Sequence, residues 1–357
     1  MKRTNKLLLN GNEAVVYGAL LAGCECFFGY PITPASEIAH TAAKWFPRLG
    51  RTFLQSECET AAVNMVMGAS AAGRRVMTAS SGLGISLKQE GISYLACMEL
   101  PALIVDITRG GPGLGNIAPE QADYFQVVKG GGHGSYRCPV LAPASVQDMC
   151  DFAGLGFALA ERYRTPVYLL ADAVIGQMME SLTLPEPIAD RHPLPAWALA
   201  PGRPRENFLS SIYLEPEQLE AVNRHLQNKY QAIVSAEQRC EEYRMDNAEV
   251  VLVAYGISSR LAVSAAATLR KGGFKVGVLR PITLFPFPQD AVRKAVGNAK
   301  VFISVELSSG QMMEDVMLAV NGSAPVRLIH RMGGMIPSID EIAARTREII
   351  REVANAR

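Results

Sequence analysis

Four short stretches of the chain combine residues able to do chemistry with turn residues that would expose them. Gly29-Tyr30-Pro31-Ile32-Thr33-Pro34-Ala35-Ser36-Glu37 offers a hydroxyl on a stiff turn. A helix start accounts for part of it, with Thr33 as N-cap, Pro34 as first helical residue and Glu37 as first-turn acid. The rigid Tyr-Pro-Ile turn is then left without a reason. Gln55-Ser56-Glu57-Cys58-Glu59-Thr60 sets two glutamates at the head of an alanine-rich helix. There a carboxylate suits the helix dipole whatever its function, and it can also move a proton. Ser80-Ser81-Gly82-Leu83-Gly84 reads either as a tight turn or as a run of amides facing a ligand. In Thr108-Arg109-Gly110-Gly111-Pro112-Gly113-Leu114-Gly115-Asn116 the arginine stands among glycines. Its planar fork matches a carboxylate or a phosphate.

Other motifs weaken on inspection. Gly113-Leu114-Gly115-Asn116-Ile117-Ala118 has the spacing of a dinucleotide fingerprint, but Pro119 follows it and the acid expected some twenty residues on is missing. The sequence contains no P-loop, HExxH or GxSxG. His133, inside Gly130-Gly131-Gly132-His133-Gly134, reads as a ligand contact or as a solvated loop residue. The seven cysteines include no CxxC pair. Cys24 and Cys26 are expected on one face of a strand as ordinary buried residues, since two thiolates alone hold neither zinc nor an iron-sulfur centre. No metal site is expected in this chain.

These loops need elements to position them. Apolar runs ending in glycine or proline predict strands over 25–29, 75–79, 102–108 and 166–170, and helical spacing predicts helices over 13–22, 35–46, 60–72, 86–98 and 146–162. Strand-helix alternation means a parallel sheet, and in such sheets ligands bind beyond the carboxyl ends of the strands, where the four loops fall. Seven prolines between 185 and 216 exclude a regular element and predict a linker or surface-wrapping segment. Leu219, Val222, Leu226, Tyr230 and Ile233 then mark a long amphipathic helix, expected to reach as far as Tyr243. Strands are expected again over 250–254, 275–279, 301–305 and 326–330. The expected organisation is α/β throughout: a parallel-sheet domain over 1–184, linker and helix over 185–247, and a smaller α/β domain over 248–357.

Composition excludes several function classes. The 357 residues carry 35 basic and 34 acidic side chains, net +1, which is no footprint for nucleic acid. No apolar run approaches the roughly 18 residues of a membrane span. The basic start has an apolar stretch of only Leu7 to Leu9, too short for a signal peptide, so a cytoplasmic chain with reduced thiols is expected.

Taken together, the four loops resemble the alpha subunit, or pyrimidine-domain half, of thiamine-diphosphate-dependent 2-oxoacid:ferredoxin oxidoreductases. The resemblance rests on Gly29-Tyr-Pro-Ile-Thr-Pro34, on Glu57-Cys-Glu59 with Gly68-Ala69 beyond it, on Thr78-Ala-Ser-Ser-Gly82 and on Val105-Asp-Ile-Thr-Arg-Gly-Gly-Pro-Gly113. Val253-Ala-Tyr-Gly256, Leu279-Arg-Pro-Ile-Thr-Leu-Phe-Pro286 and Val305-Glu-Leu-Ser-Ser-Gly-Gln311 resemble that family's transketolase C-terminal-like domain. Gly115-Asn-Ile-Ala-Pro-Glu-Gln121 and Val128-Lys-Gly-Gly-Gly-His-Gly134 look most like the branched-chain, 2-oxoisovalerate (3-methyl-2-oxobutanoate) members.

The resemblance implies a pyrimidine-type thiamine diphosphate domain followed by a transketolase C-terminal-like domain. It implies Glu59 as the glutamate that hydrogen-bonds the cofactor's pyrimidine, with Glu57 as the nearby competitor. Thr33 and Arg109 match positions that bind the carboxyl and oxo groups of the substrate, and Tyr30, Pro31, Ile32, Ser81 and Gly82 match cofactor-binding positions. The reaction implied is oxidative decarboxylation of a 2-oxo acid to its acyl-CoA, with coenzyme A as co-substrate and ferredoxin as electron acceptor. The Gly-Asp-Gly stretch that holds magnesium and the diphosphate in thiamine enzymes is absent, as are the clustered cysteines of a ferredoxin-like module. The implied partners are therefore a beta subunit that shares the cofactor and supplies the diphosphate site, Mg2+ and an iron-sulfur cluster, with gamma and ferredoxin-like delta subunits beside it. A 2-oxoglutarate-specific alpha subunit, a non-redox thiamine decarboxylase half and a catalytically dead scaffold are the competing readings.

Overall fold

The computed structural model describes residues 6–187 and 193–355. The basic start of the chain and residues 188–192 of the proline-rich stretch lie outside the described residues. The first part of the chain runs β1 (Lys6–Asn10), α1 (Gly11–Leu21), β2 (Cys26–Gly29), α2 (Ser36–Trp45), β3 (Thr52–Gln55), α3 (Glu59–Ala71), β4 (Val76–Ser80), α4 (Leu83–Cys97), β5 (Ala102–Thr108), β6 (Val140–Leu141), α5 (Val146–Tyr163), β7 (Pro166–Asp172), α6 (Ala173–Gln177) and β8 (Met179–Thr183). After the proline-rich stretch come α7 (Pro216–Ala236), β9 (Cys240–Tyr243), β10 (Val250–Val253), α8 (Gly256–Lys271), β11 (Val276–Pro281), β12 (Thr283–Phe285), α9 (Gln289–Val296), β13 (Val301–Glu306), α10 (Gln311–Val320), β14 (Val326–His330) and α11 (Ile339–Asn355).

Strands β4, β5 and β7 are buried along their whole length, which is why they read as continuous apolar runs: helices cover both faces of their sheet. The order is β12-β6-β7-β5-β4-β2-β3, with parallel neighbours from β6 to β3. Ile38 of α2, Phe46 just past its end, and Met149 and Phe157 of α5 fill one face together with α1. Val63 and Val66 of α3 and Ile85 and Ile92 of α4 fill the other, in a core continuous with Leu226 and Ile233 of α7 and Val251 and Phe302 of the second sheet. That second sheet runs β14-β13-β10-β11-β9.

The second half also contributes to the first sheet. β12, from the Leu279–Pro286 motif, pairs antiparallel with β6, Thr283 opposite Leu141 and Phe285 opposite Val140. Arg280, just before it, is buried and donates to Glu241 at 2.7 Å, to the Ala142 carbonyl at 3.2 Å and to Asp148, stapling both sheets.

Several expectations change. The amphipathic helix stops at Ala236 and does not reach Tyr243, because Glu237 is held by Arg162, Tyr163 and Arg239, and 240–243 turn into β9, antiparallel to β11. Helix α2 starts at Ser36 with Ala35 as its cap, so Thr33 caps nothing and Pro34 precedes the helix. Helix α4 begins at Leu83 instead of residue 86, directly after Gly82. Cys24 and Cys26 do not share a face: Cys24 precedes β2 and joins the α1/α5 core, while Cys26 joins the opposite one. Burial pushes both thiols up. The edge strand β3 escaped the sequence reading because Thr52, Leu54 and Gln55 are exposed. In the proline-rich stretch, residues beyond 192 wrap the surface: the Leu199 amide donates to the Ala71 carbonyl at 2.8 Å, and Arg164 lies 4.8 Å over the Trp197 ring.

Candidate active site

All four loops leave the carboxyl ends of β3, β2, β4 and β5, which lie side by side. The chain steps outward from β2 to β3 and then returns across β2 to β4, so the crevice at the reversal lies between β2 and β4. The loops after β2 and β3 are joined at their roots, where the Ser56 amide donates to the Gly29 carbonyl at 2.9 Å.

In the first loop Tyr30 is 39% exposed and Thr33 is exposed, with Pro31 and Ile32 half-buried between them. Asn12 holds the turn from below, donating from Nδ2 to the Pro34 carbonyl at 2.8 Å and to Glu37 at 2.9 Å. Arg109, immediately after β5, donates from Nη1 to the Thr33 carbonyl at 2.9 Å. Its side chain lies along Gly82, where a Cβ would stand 3.4 Å from Arg109 Nε, and Gly82 has φ +50°, a backbone that suits glycine.

The second loop separates its two glutamates. Glu57 is exposed, whereas Glu59, the first residue of α3, is 6% exposed. Cys58 caps the helix, its Sγ accepting from the Ala61 amide at 3.5 Å. Gly84 on α4 faces the carboxylate closely: a Cβ there would stand 2.7 Å from Glu59 Oε1 and collide with Ser80 Oγ. One turn further along α4, Lys88 is fully buried and its Nζ has no hydrogen-bond partner. Burial pulls the Lys88 amine down to about 8, opposed by the nearby Glu59 and Cys58. The hydroxyls of Thr78, Ser80 and Ser81 are likewise buried without partners.

Asp106 on β5, beside Ser80 on β4, adds a buried carboxyl. Burial raises Asp106 well above the carboxylate range, and the neighbouring Asp123 raises it further. Asp123 is itself pushed up to about 6, by burial first and then by Glu120. The Gly82 amide points toward both acids, although neither Asp106 oxygen makes a hydrogen bond of ordinary geometry.

Lys88, Asp106 and Asp123 were missed in the sequence. A signal existed for two of them: Asp106 interrupts an otherwise apolar strand, and Lys88 lies four residues from Gly84 and so shares its helix face.

The second domain holds the loop that carries Arg109. Glu120 accepts from the Gly111 amide at 2.6 Å and from the Gly333 amide at 2.8 Å, bridging the halves. Asn116 donates to the Gly333 carbonyl at 3.0 Å. Gln121 pairs with the Leu307 backbone at 2.7 and 2.9 Å and donates to the Tyr255 carbonyl at 3.0 Å, both beyond the carboxyl ends of second-sheet strands. His133 is exposed in its glycine loop, which is anchored by Tyr136, whose hydroxyl accepts from the Gly132 amide and donates to Gln89, each at 3.0 Å. Among the described residues no three acidic, histidine or cysteine side chains are grouped to hold a metal ion, and no helix is long and apolar enough to cross a membrane.

Residues 17–245 match the family described as pyruvate flavodoxin/ferredoxin oxidoreductase, thiamine diphosphate-binding, and residues 248–342 match pyruvate:ferredoxin oxidoreductase core domain II. The ketoisovalerate oxidoreductase subunit VorB of Methanothermobacter marburgensis is 57% identical over 346 residues, covering 97% of this chain and 98% of its own. The 2-oxoglutarate synthase subunit KorA of Archaeoglobus fulgidus is 42% identical over 321 residues, covering 87% and 90%. Among solved structures, the 2-oxoglutarate:ferredoxin oxidoreductase of Magnetococcus marinus, with 2-oxoglutarate, coenzyme A and succinyl-CoA bound, superposes with a TM-score of 0.87 at 27% identity. That match covers 98% of this chain and 66% of the other. A split-gene transketolase, an inactive beta4 tetramer, shares the fold at a TM-score of 0.59 and 14% identity.

Proposed function

This chain belongs to the pyruvate flavodoxin/ferredoxin oxidoreductase family, and we propose that within it the chain is the subunit that completes a thiamine diphosphate site for oxidative decarboxylation of a branched-chain 2-oxo acid, 2-oxoisovalerate, to its acyl-CoA. What supports the reading is the convergence of buried Glu59 with the Arg109–Thr33 pair on one crevice. The branched-chain substrate is favoured by the 57% identity to a ketoisovalerate oxidoreductase subunit against 42% to a 2-oxoglutarate synthase subunit.

The residues present fit a pyrimidine ring. Gly84 keeps open the space in front of Glu59 Oε1, and the unpartnered hydroxyls of Ser80 and Ser81 offer hydrogen bonds a ligand can use. The cofactor, when bound, supplies a nucleophilic carbon for the 2-oxo group and a sink for the electrons of the bond to carbon dioxide. Glu59 holds or releases a proton at its carboxyl, facing the ring. Ser81, Gly82 and the Tyr30-Pro31-Ile32 turn line the cofactor's place, and the small Gly82 lets it approach Arg109. The Arg109 fork and the Thr33 hydroxyl orient the carboxyl and oxo groups of the substrate.

A beta subunit would supply the diphosphate site, Mg2+ and an iron-sulfur cluster, with gamma and ferredoxin-like delta subunits and ferredoxin as acceptor. The crevice rim supports such a partner, since Leu114 is 77% and Ile117 62% exposed beside Arg109.

The test is anaerobic. The tagged chain is isolated with its partners, supplied with thiamine diphosphate, magnesium and coenzyme A, and assayed for viologen reduction with 2-oxoisovalerate, 2-oxoglutarate, pyruvate and an aryl pyruvate. Reduction that requires coenzyme A and is fastest with 2-oxoisovalerate is expected. Preference for 2-oxoglutarate would revise the substrate, and turnover without coenzyme A or viologen reduction would move the chain to a non-redox decarboxylase.

A further inference from the structure

Lys88 is the group this mechanism does not use. It is fully buried on α4, its Nζ has no hydrogen-bond partner, and a methionine of similar shape would fill the same space without burying a charge. Gly84, one turn earlier on the same face, lies against Glu59 Oε1, so the lysine projects toward the same pocket. The titratable groups near it are Glu59 and Cys58, both at the start of α3, while the side chain beside it, Gln89, is taken up by the hydroxyls of Tyr136 and Tyr168.

We infer that Lys88 is the charge partner of Glu59: a positioning residue whose buried ammonium offsets the carboxylate each time the glutamate gives up its proton. This deepens the role given to Glu59 above and rests on it. Lys88 keeps its proton throughout. When Glu59 passes its proton to a ring nitrogen, the carboxylate left behind faces the ammonium, and when the proton returns the acid is neutral again. Glu59 can therefore release and recover a proton without stranding an uncompensated carboxylate in a buried site, where such a charge is costly.

The proton itself is followed first, without turnover. In the full chain labelled with 15N-lysine, the Lys88 Nζ resonance, assigned by its loss in Lys88→Met, titrates near pH 8, and in Glu59→Gln it titrates at lower pH because the carboxylate that favoured its charge is gone. Thermal melts report the same linkage. The folded chain binds fewer protons at Lys88 than the unfolded chain between about pH 8 and the ordinary lysine value of 10.5, so wild-type stability gains a rising term across that window. Lys88→Met removes the term and melts higher than wild type at pH 7; Lys88→Gln serves if the methionine variant does not fold. A residue needed only for packing would melt lower. In the assembled complex Lys88→Met lowers kcat by about 10- to 100-fold with KM little changed, and shifts the pH profile. A Lys88 resonance that ignores Glu59→Gln, or full turnover with an unshifted profile in Lys88→Met, overturns the inference. An intact complex inactive on every 2-oxo acid, with the Lys88 titration still tied to Glu59, would instead remove the proposed reaction and leave the pair standing.

Discussion

Arg109 donates from Nη1 to the carbonyl oxygen of Thr33 at 2.9 Å, and that bond joins loops whose residues are 76 positions apart in the chain. It fixes the guanidinium against the backbone of the Thr33 turn. Nη1 is committed to the backbone of the turn and Nη2 donates more weakly, at 3.4 Å, to the Leu114 carbonyl, while the guanidinium lies along Gly82.

Arg109→Lys keeps the charge and loses the fork. A lysine cannot hold the Thr33 carbonyl and a carboxylate in one plane. The expected result is a rise of about 10- to 100-fold in KM for the 2-oxo acid, the worth of one charge-assisted hydrogen bond, with an unchanged melting temperature. Steady-state kinetics of the assembled complex measure it, and an unchanged KM would take Arg109 out of substrate binding.

Gly84→Ala tests the space in front of Glu59. The added methyl would stand 2.7 Å from Glu59 Oε1 and strike Ser80 Oγ, so one of the two side chains must shift. Overpacking of this kind costs about 1–3 kcal/mol of stability. The sharper expectation is a large fall in thiamine diphosphate affinity, read by calorimetry on the complex, while the subunits still assemble. Affinity equal to wild type would mean that the ring sits elsewhere.

The acid pair gives a pH effect of defined sign. Asp123 has a folded value raised from 3.8 to about 6, so the folded chain binds more protons than the unfolded one across that window. Its contribution to stability is therefore present below about pH 4 and is lost as the pH rises to about 6. Asp123→Asn removes this loss. The difference between variant and wild-type melting temperatures should grow in favour of the variant from pH 4 to pH 6 and then level off. A difference that is flat with pH would show that burial does not hold the proton on Asp123.

Glu120→Gln tests the clamp between the halves. The carboxylate accepts from Gly111 and Gly333 together, and an amide offers only one oxygen for the two N–H groups. Hydrogen exchange at those two glycines should quicken, and kcat should fall through the loosened Arg109 loop, with the remainder of the fold protected as before. Equal exchange at both sites would remove the second domain from the control of that loop.

Much of this was legible in the sequence, for local reasons. Strands β2, β4, β5 and β7 announce themselves because burial on both faces demands unbroken apolar runs, and the four loops follow because ligands gather at the ends of such strands. Side-chain type marked Arg109 as able to bind an anion and Glu59 as able to hold a proton, while Thr33 read as a cap and gained a binding role only from the family resemblance. Pairing and burial are another matter, since they depend on contacts between residues far apart. That Glu59 and not Glu57 is buried, that Thr33 meets Arg109 through its carbonyl instead of capping α2, and that Lys88 loses all contact with water follow from how α3, α4 and β5 pack. Edge strands β9 and β12 were hidden for the same reason: they have no pattern of their own that marks them, and they are strands because β11 and β6 offer unpaired backbone to them. Sequence determined which groups this protein has and at which strand ends they stand; tertiary structure decided which of them are dry, which are paired and which are held ready, because desolvation and hydrogen bonding at a distance are properties of the packed chain.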